Sequence, residues 1–138
     1  MSELTLYLSS QQRKNQTGFL YQTPHLLDSR ESWACALIDV TLDCNFNPKR
    51  NRLYLCGDFI EESNVNGLRA SVLGKLEIRG KYKKTLYREI LHPIYVPLRR
   101  DQAHQLRLFF VDDNLEEVSF EEGATIHCVL HFRRQWAR

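Results

Sequence analysis

From Gln105 to Arg134 the chain carries two long runs in which apolar residues recur at every second position. Leu106, Leu108 and Phe110 alternate with Arg107, Phe109 and Val111. After Asp112-Asp113-Asn114 the pattern lapses, then resumes from Thr125 to Phe132. There Ile126, Cys128, Leu130 and Phe132 share one face, opposite Thr125, His127, Val129 and His131. A period of two is what a pleated strand imposes, because successive side chains point to opposite faces. The first run is bulky on both faces and predicts a strand covered on both sides. The second has one apolar and one polar face. Two such strands, joined by an acidic turn, require a further sheet to cover them.

The same period recurs upstream. Leu4 to Leu8, Gly18 to Gln22, Trp33 to Leu42, Leu53 to Phe59, Val72 to Ile78 and Leu86 to Val96 each read as a strand. Gly74 interrupts the fifth of these; Pro93 breaks the sixth and Pro97 closes it, which suits an edge or a corner. Between Trp33 and Leu42, strict alternation puts Ala34, Ala36, Ile38, Val40 and Leu42 on one face and Trp33, Cys35 and Leu37 on the other. Asn66-Gly67 is a turn signal. No apolar stripe at helical spacing and no repeat occurs. The expectation is an all-β chain, a single eight-stranded antiparallel jelly-roll sandwich of two four-stranded sheets. Trp33, Leu37, Ile126, Leu130 and Phe132 are expected in its interior. An immunoglobulin-like sandwich competes, but Cys35 stands beside Trp33 where that fold needs a cysteine well before it.

A length of 138 residues suits one domain, 1–138, able to bury a core without staples. With 43% hydrophobic and 26% charged residues the composition is that of a globular protein, not of a disordered one. No apolar run is long enough to cross a membrane as a helix, and the first residues lack a secretion signal. The expectation is no membrane association and no secretion. Cys35, Cys44, Cys56 and Cys128 contain no C-x-x-C pair, so buried thiols are expected in place of a disulfide or a zinc site. A net charge of +2 is too small to argue for nucleic acid.

Catalytic chemistry is hard to find. Of His25, His92, His104, His127 and His131, only the last two share a face of one strand, about 13 Å apart by strand rise. That is too far for one metal ion. The carboxylate doublets Glu61-Glu62, Asp112-Asp113, Glu116-Glu117 and Glu121-Glu122 point to opposite faces if extended, and serve poorly as acid–base pairs. Asp112-Asp113-Asn114 lacks the oxygen spacing of a calcium loop. No catalytic, cofactor or metal residues are assigned. Basic residues gather at Lys49-Arg50-Arg52, Arg79 to Lys84, Arg99-Arg100, and Arg133-Arg134 with Arg138. The last group includes Trp136, a composition common at contact surfaces. Arg133, Arg134, Trp136 and Arg138 are therefore the candidate interaction residues, on a tail, 133–138, read as a contact arm.

A family resemblance runs in order along nearly the whole chain. Phe19 and Pro24, Leu27, then Trp33-x-Cys35-Ala36-Leu37-Ile38-x-Val40 resemble the amino-terminal part of penton-type minor capsid proteins of Polinton/Maverick elements and adintovirus-like viruses. Leu53-Tyr54-Leu55-Cys56, Asp58 to Ser63 and Asn66-Gly67 are similar to that family's central block. Pro93-x-Tyr95-x-Pro97-Leu98, Leu106-x-Leu108, Asp112-Asp113, Phe120, Gly123 and Cys128-x-Leu130-His131-Phe132-Arg133 are similar to its end. Arg13 and Lys14 depart from it, standing where a more aromatic, proline-bearing approach is expected.

The resemblance implies a single jelly roll that forms homopentamers at icosahedral capsid vertices, in the virion, beside a double-jelly-roll major capsid protein. Opposite charges on Asp112 to Glu122 and on the basic turns at Arg79 to Lys84 and Arg99-Arg100 are available to guide subunits together. The alternative is a carbohydrate- or receptor-binding jelly roll, which needs an exposed aromatic platform. A metal-dependent jelly-roll enzyme lacks its histidine pair.

Overall fold

A computed structural model describes residues 3–22, 32–46, 51–65, 67–78, 84–99 and 105–135. These form β1 (Glu3–Gln11), β2 (Phe19–Gln22), β3 (Trp33–Asp43), β4 (Arg52–Gly57), β5 (Ser63–Val65) and β6 (Leu68–Ala70). There follow β7 (Val72–Glu77), β8 (Thr85–Glu89), β9 (Val96–Pro97), β10 (Gln105–Val111), β11 (Glu117–Val118) and β12 (Thr125–Arg134). No helix occurs among the described residues.

The chain pairs as one long ribbon folded in half. The first strand pairs the last, β1 with β12; then β2 pairs β10, β3 pairs β8, and β4 pairs β7, all antiparallel. Cross-pairing of β12 with β3 and of β10 with β4 merges these pairs into two sheets. Sheet A runs β1-β12-β3-β8, with β9 also on β3; sheet B runs β2-β10-β4-β7, with β11 on β10. This nesting is the jelly roll, an all-β antiparallel sandwich with the eight principal strands read from the sequence.

Several details differ from the alternation. The final two runs, β10 and β12, are not partners: they lie in opposite sheets, and the acidic segment between them crosses from one to the other. Additional short strands are present. The Asn66-Gly67 signal sits between β5 and β6, which form a hairpin, and β9 is split from β8 by residues 90–95.

In β3 the expected faces exchange halfway. Val129 pairs Asp39 while Leu130 pairs Leu37, leaving Ile38 as an extra residue in a β-bulge. Two residues opposing one reverse the parity of the rest of the strand. Trp33, Cys35 and Leu37 therefore share the core with Val40 and Leu42, while Ala34 and Ala36 lie on the other face.

The core is a layer of large side chains from both sheets, among them Phe19, Phe59, Phe110 and Phe132, with Leu37, Leu42, Leu53, Leu55, Leu106 and Leu108. Trp33, Ile126 and Leu130 are buried there as expected. Gly74 interrupts β7 for a packing reason: a Cβ there would stand 2.9 Å from Leu37 Cδ2 of the facing sheet. Gly18 has φ +77°, and a Cβ would press on the Leu108 carbonyl at 2.7 Å, so only glycine suits the entry to β2.

Sheet B is covered on its outer side as well. Tyr54, Cys56 and Val111 form a second buried cluster, with Val65, Val72, Phe109 and Leu115 packed on it. This is the double cover that the bulky faces of 105–111 demand.

Candidate functional site

Titratable groups are spent mostly on structure. His127 Nδ1 lies 2.8 Å from Ser9 Oγ, and His131 Nδ1 lies 2.6 Å from the Tyr95 hydroxyl. Among the described residues no three His, Cys, Asp or Glu side chains converge on a possible metal position. All four cysteines are buried thiols. Burial raises Cys35 well above the usual thiol range. Burial, aided by nearby carboxylates, pushes Cys44, Cys56 and Cys128 up to about 12. Such thiols are poor nucleophiles, because the thiolate is the reactive form.

The acidic segment is also engaged within the chain. Asp112 Oδ1 accepts from the backbone N–H groups of Asn114 (2.9 Å) and Glu116 (3.0 Å), bracing a turn in which Leu115 has φ 61°. Asp113 accepts from the Tyr54 hydroxyl at 3.1 Å and faces Arg52 at 3.8 Å. Glu117 pairs with Arg107, and Glu121 accepts from the Asn45 N–H. Lys84, whose carbonyl accepts from Cys44 N–H, stands at this same end of the sandwich, and Arg99 at the other end faces Glu62 at 3.8 Å. Of the charges expected to draw subunits together, Asp113, Glu117 and Arg99 have partners within the chain, while Arg79 to Lys83 and Arg100 lie outside the described residues.

The outer face of sheet A carries a polar clamp. Register places Glu3, Arg133 and Ala34 in one row and Thr5, His131 and Ala36 in the next. Tyr95, from the β8–β9 connection, must pass over Ala36 to reach His131 on β12. Alanines at 34 and 36 leave room for that crossing, and both are fully buried. The Arg133 guanidinium lies 3.6 Å from the Tyr95 ring centroid, and His131 Nε2 lies 3.8 Å from Glu3. Four side chains thereby tie β1, β12 and the end of the 90–95 segment together.

That clamp holds a segment with an unusual tip. Leu91 is 78% and Ile94 76% exposed, whereas Ile90 packs partly into the core and its N–H donates to the Ile38 carbonyl at 2.8 Å. The bulge at Ile38 supplies that carbonyl, so the irregularity of β3 is what anchors the segment. Two strongly exposed aliphatic residues thus stand on a connection fixed at both ends. In sequence they read as the middle of a strand broken by Pro93, and nothing in the alternation separates them from core residues.

The opposite side of the sandwich differs. There β1 is an edge strand paired only with β12, and β2 is the neighbouring edge of sheet B. Leu4, Leu6 and Leu8 face the core yet remain partly exposed; Tyr7 is 80% exposed. Tyr87 on β8 is 53% exposed on the same outer face as Tyr7, but two strands, β12 and β3, separate them.

Of the candidate contact residues, Arg133 and Arg134 are the last two residues of β12, paired with Ala34 and Trp33. Arg134 lies 5.7 Å from the Trp33 ring, and Gln135 N–H donates to the Ser32 carbonyl at 2.8 Å. Trp136 and Arg138 lie outside the described residues.

No protein-family profile and no curated protein matches the chain. A solved structure does. The fold is similar to that of the mavirus penton protein, with a TM-score of 0.59 at 6% identity, over 96% of this chain and 100% of that chain. The likeness agrees with the sequence resemblance to penton-type minor capsid proteins. At that identity it is one of fold, an antiparallel jelly roll.

Proposed function

We propose that this protein is a structural, non-catalytic component of a virion: a penton-type minor capsid protein. In this reading it closes into a homopentamer at the icosahedral vertices and contacts a double-jelly-roll major capsid protein. The observation that carries the reading is the end-to-end correspondence of fold, 96% of one chain on 100% of the other. The mechanism is geometric. A head-to-tail contact between two unlike surfaces of one subunit closes a ring when its rotation divides the circle. The two sides of this sandwich are unlike, which supports such closure.

The carbohydrate- or receptor-binding alternative needs neighbouring aromatic rings on one surface. Tyr7 and Tyr87 are instead separated by two intervening strands, about 14 Å at ordinary strand spacing. The candidate arm enters the reading through Trp136 and Arg138, as a tie to a neighbouring capsid protein. Native mass spectrometry at tens of micromolar tests the assembly. A pentamer is expected; a stable dimer or trimer overturns the penton reading.

A further inference from the structure

Two uncharged tracts of this chain lie on opposite sides of the sandwich. From Leu4 to Gln12 the β1 edge carries no Lys, Arg, Asp or Glu; the same holds from Ile90 to Leu98. Proteins ordinarily blunt a free edge strand with charge, proline, a bulge or brevity. Here β1 is nine residues long, and its register with β12 runs unbroken from Glu3 to Gln11. Its inward leucines are only partly covered. Facing away on the other flank, Leu91 and Ile94 stand exposed on a segment anchored by Ile90 and Tyr95.

We infer that the 90–95 segment of one copy seats on the β1 side of the next copy, with Leu91 and Ile94 against Leu4, Leu6, Leu8 and Tyr7. This rests on the penton reading and names the surfaces that reading requires. A second copy is the occupant because one chain carries both halves of the contact. An unrelated partner would account for one apolar side and leave the other uncovered. Neither half carries a formal charge that would be stripped of water on burial, which removes the costliest desolvation from the contact. The two halves occupy opposite edges of the same sheet, so every copy both gives and receives. In a closed ring the β1 edge of every copy is covered.

Engineered cysteines test this directly, because the four native thiols are buried. Tyr7→Cys and Ile94→Cys are prepared singly and together and oxidised at tens of micromolar. The double variant should form a disulfide ladder ending at a closed ring, and an equal mixture of the single variants should give a 7–94 dimer. A dominant 94–94 dimer from the single variant would overturn the inference in favour of a symmetric contact. In parallel, Leu91→Asp/Ile94→Asp should keep its melting temperature within about a degree and weaken assembly at least about tenfold, since burying two carboxylates is costly. If that variant assembles as a pentamer like the wild type, these surfaces are wrong while the penton reading stands. A wild-type chain that stays monomeric at hundreds of micromolar also overturns the inference. A stable dimer or trimer overturns both.

Discussion

The two sheets finish their outer faces in different ways. Sheet B covers its own with apolar material: Tyr54, Cys56 and Val111 are buried beneath Val65, Val72, Phe109 and Leu115. Sheet A covers its own with a thin polar clamp of Glu3, His131, Tyr95 and Arg133, and leaves its exposed apolar residues at its two edges. Apart from Leu20 on β2, which is 44% exposed, the outer face of sheet B is closed by the chain itself. Sheet A is finished only where it needs no neighbour. A face closed from within is a poor place for a partner, whereas uncharged edges anchored by a rigid clamp suit a repeating contact.

The largest expected effect comes from the buried thiols, which sit beneath both covers. An ordinary thiol ionises near 9, whereas Cys44, Cys56 and Cys128 do so at about 12 in the fold. Between those values the folded state holds more protons than the unfolded one, so stability falls as pH rises. The loss approaches about 1.4 kcal/mol per pH unit for Cys128, the most enclosed of the three, and less for Cys56 and Cys44, which solvent screens more. Melts from pH 8 to 10.5 check this, with Cys56→Ala and Cys128→Ala expected to flatten the fall. Rapid reaction of Cys56 with a thiol reagent at pH 8 would show that the outer cover of sheet B is open.

Next in size is Leu130→Ala in β12, whose side chain is fully buried. It should cost about 2–5 kcal/mol by chemical denaturation. An unchanged midpoint would mean that the inner face of sheet A is not the core. Gly57→Ala should cost about 1–3 kcal/mol, because its Cβ would lie 2.7 Å from the buried Phe59 ring.

Smaller again are the hydroxyl deletions that compare the covers. Tyr54→Phe and Tyr95→Phe each remove a hydrogen bond, to Asp113 and to His131, and should cost about 0.5–1.5 kcal/mol. Only Tyr95→Phe should also weaken assembly, since it loosens the anchor of Leu91 and Ile94. The smallest effect concerns salt. If the uncharged tracts carry the contact, sodium chloride should change assembly little and sulfate should strengthen it, as apolar contacts do. Dissociation by moderate sodium chloride would restore charge as the driving force.

Much of this fold was legible because alternation reports which residues a strand buries. Eight strands and their core faces followed from it, as did the double cover of 105–111. The face of β3 beyond Leu37 did not, because a single extra residue at Ile38 reverses parity and leaves no mark in composition. The pairing of β10 and β12 with other strands is a long-range choice, set by the nesting and not by the turn between them. The exposure of the 90–95 tip was hidden most thoroughly. Leu91 and Ile94 have the same chemistry as core residues, and only the path of the chain around Pro93 puts them outside. The arginines at 133 and 134 were conspicuous by their charge, but that they extend the ladder of β12 is visible only in the pairing with Ala34 and Trp33.

The central claim is that this chain is the vertex protein of an icosahedral capsid. Cryo-electron microscopy of particles from the producing system, with density resolved at the five-fold axes, tests it most directly. Five copies of this jelly roll are expected around each axis, with the 90–95 segment of each against β1 of the next. Particles whose vertices are filled by another protein, with this chain absent from the shell, would contradict it.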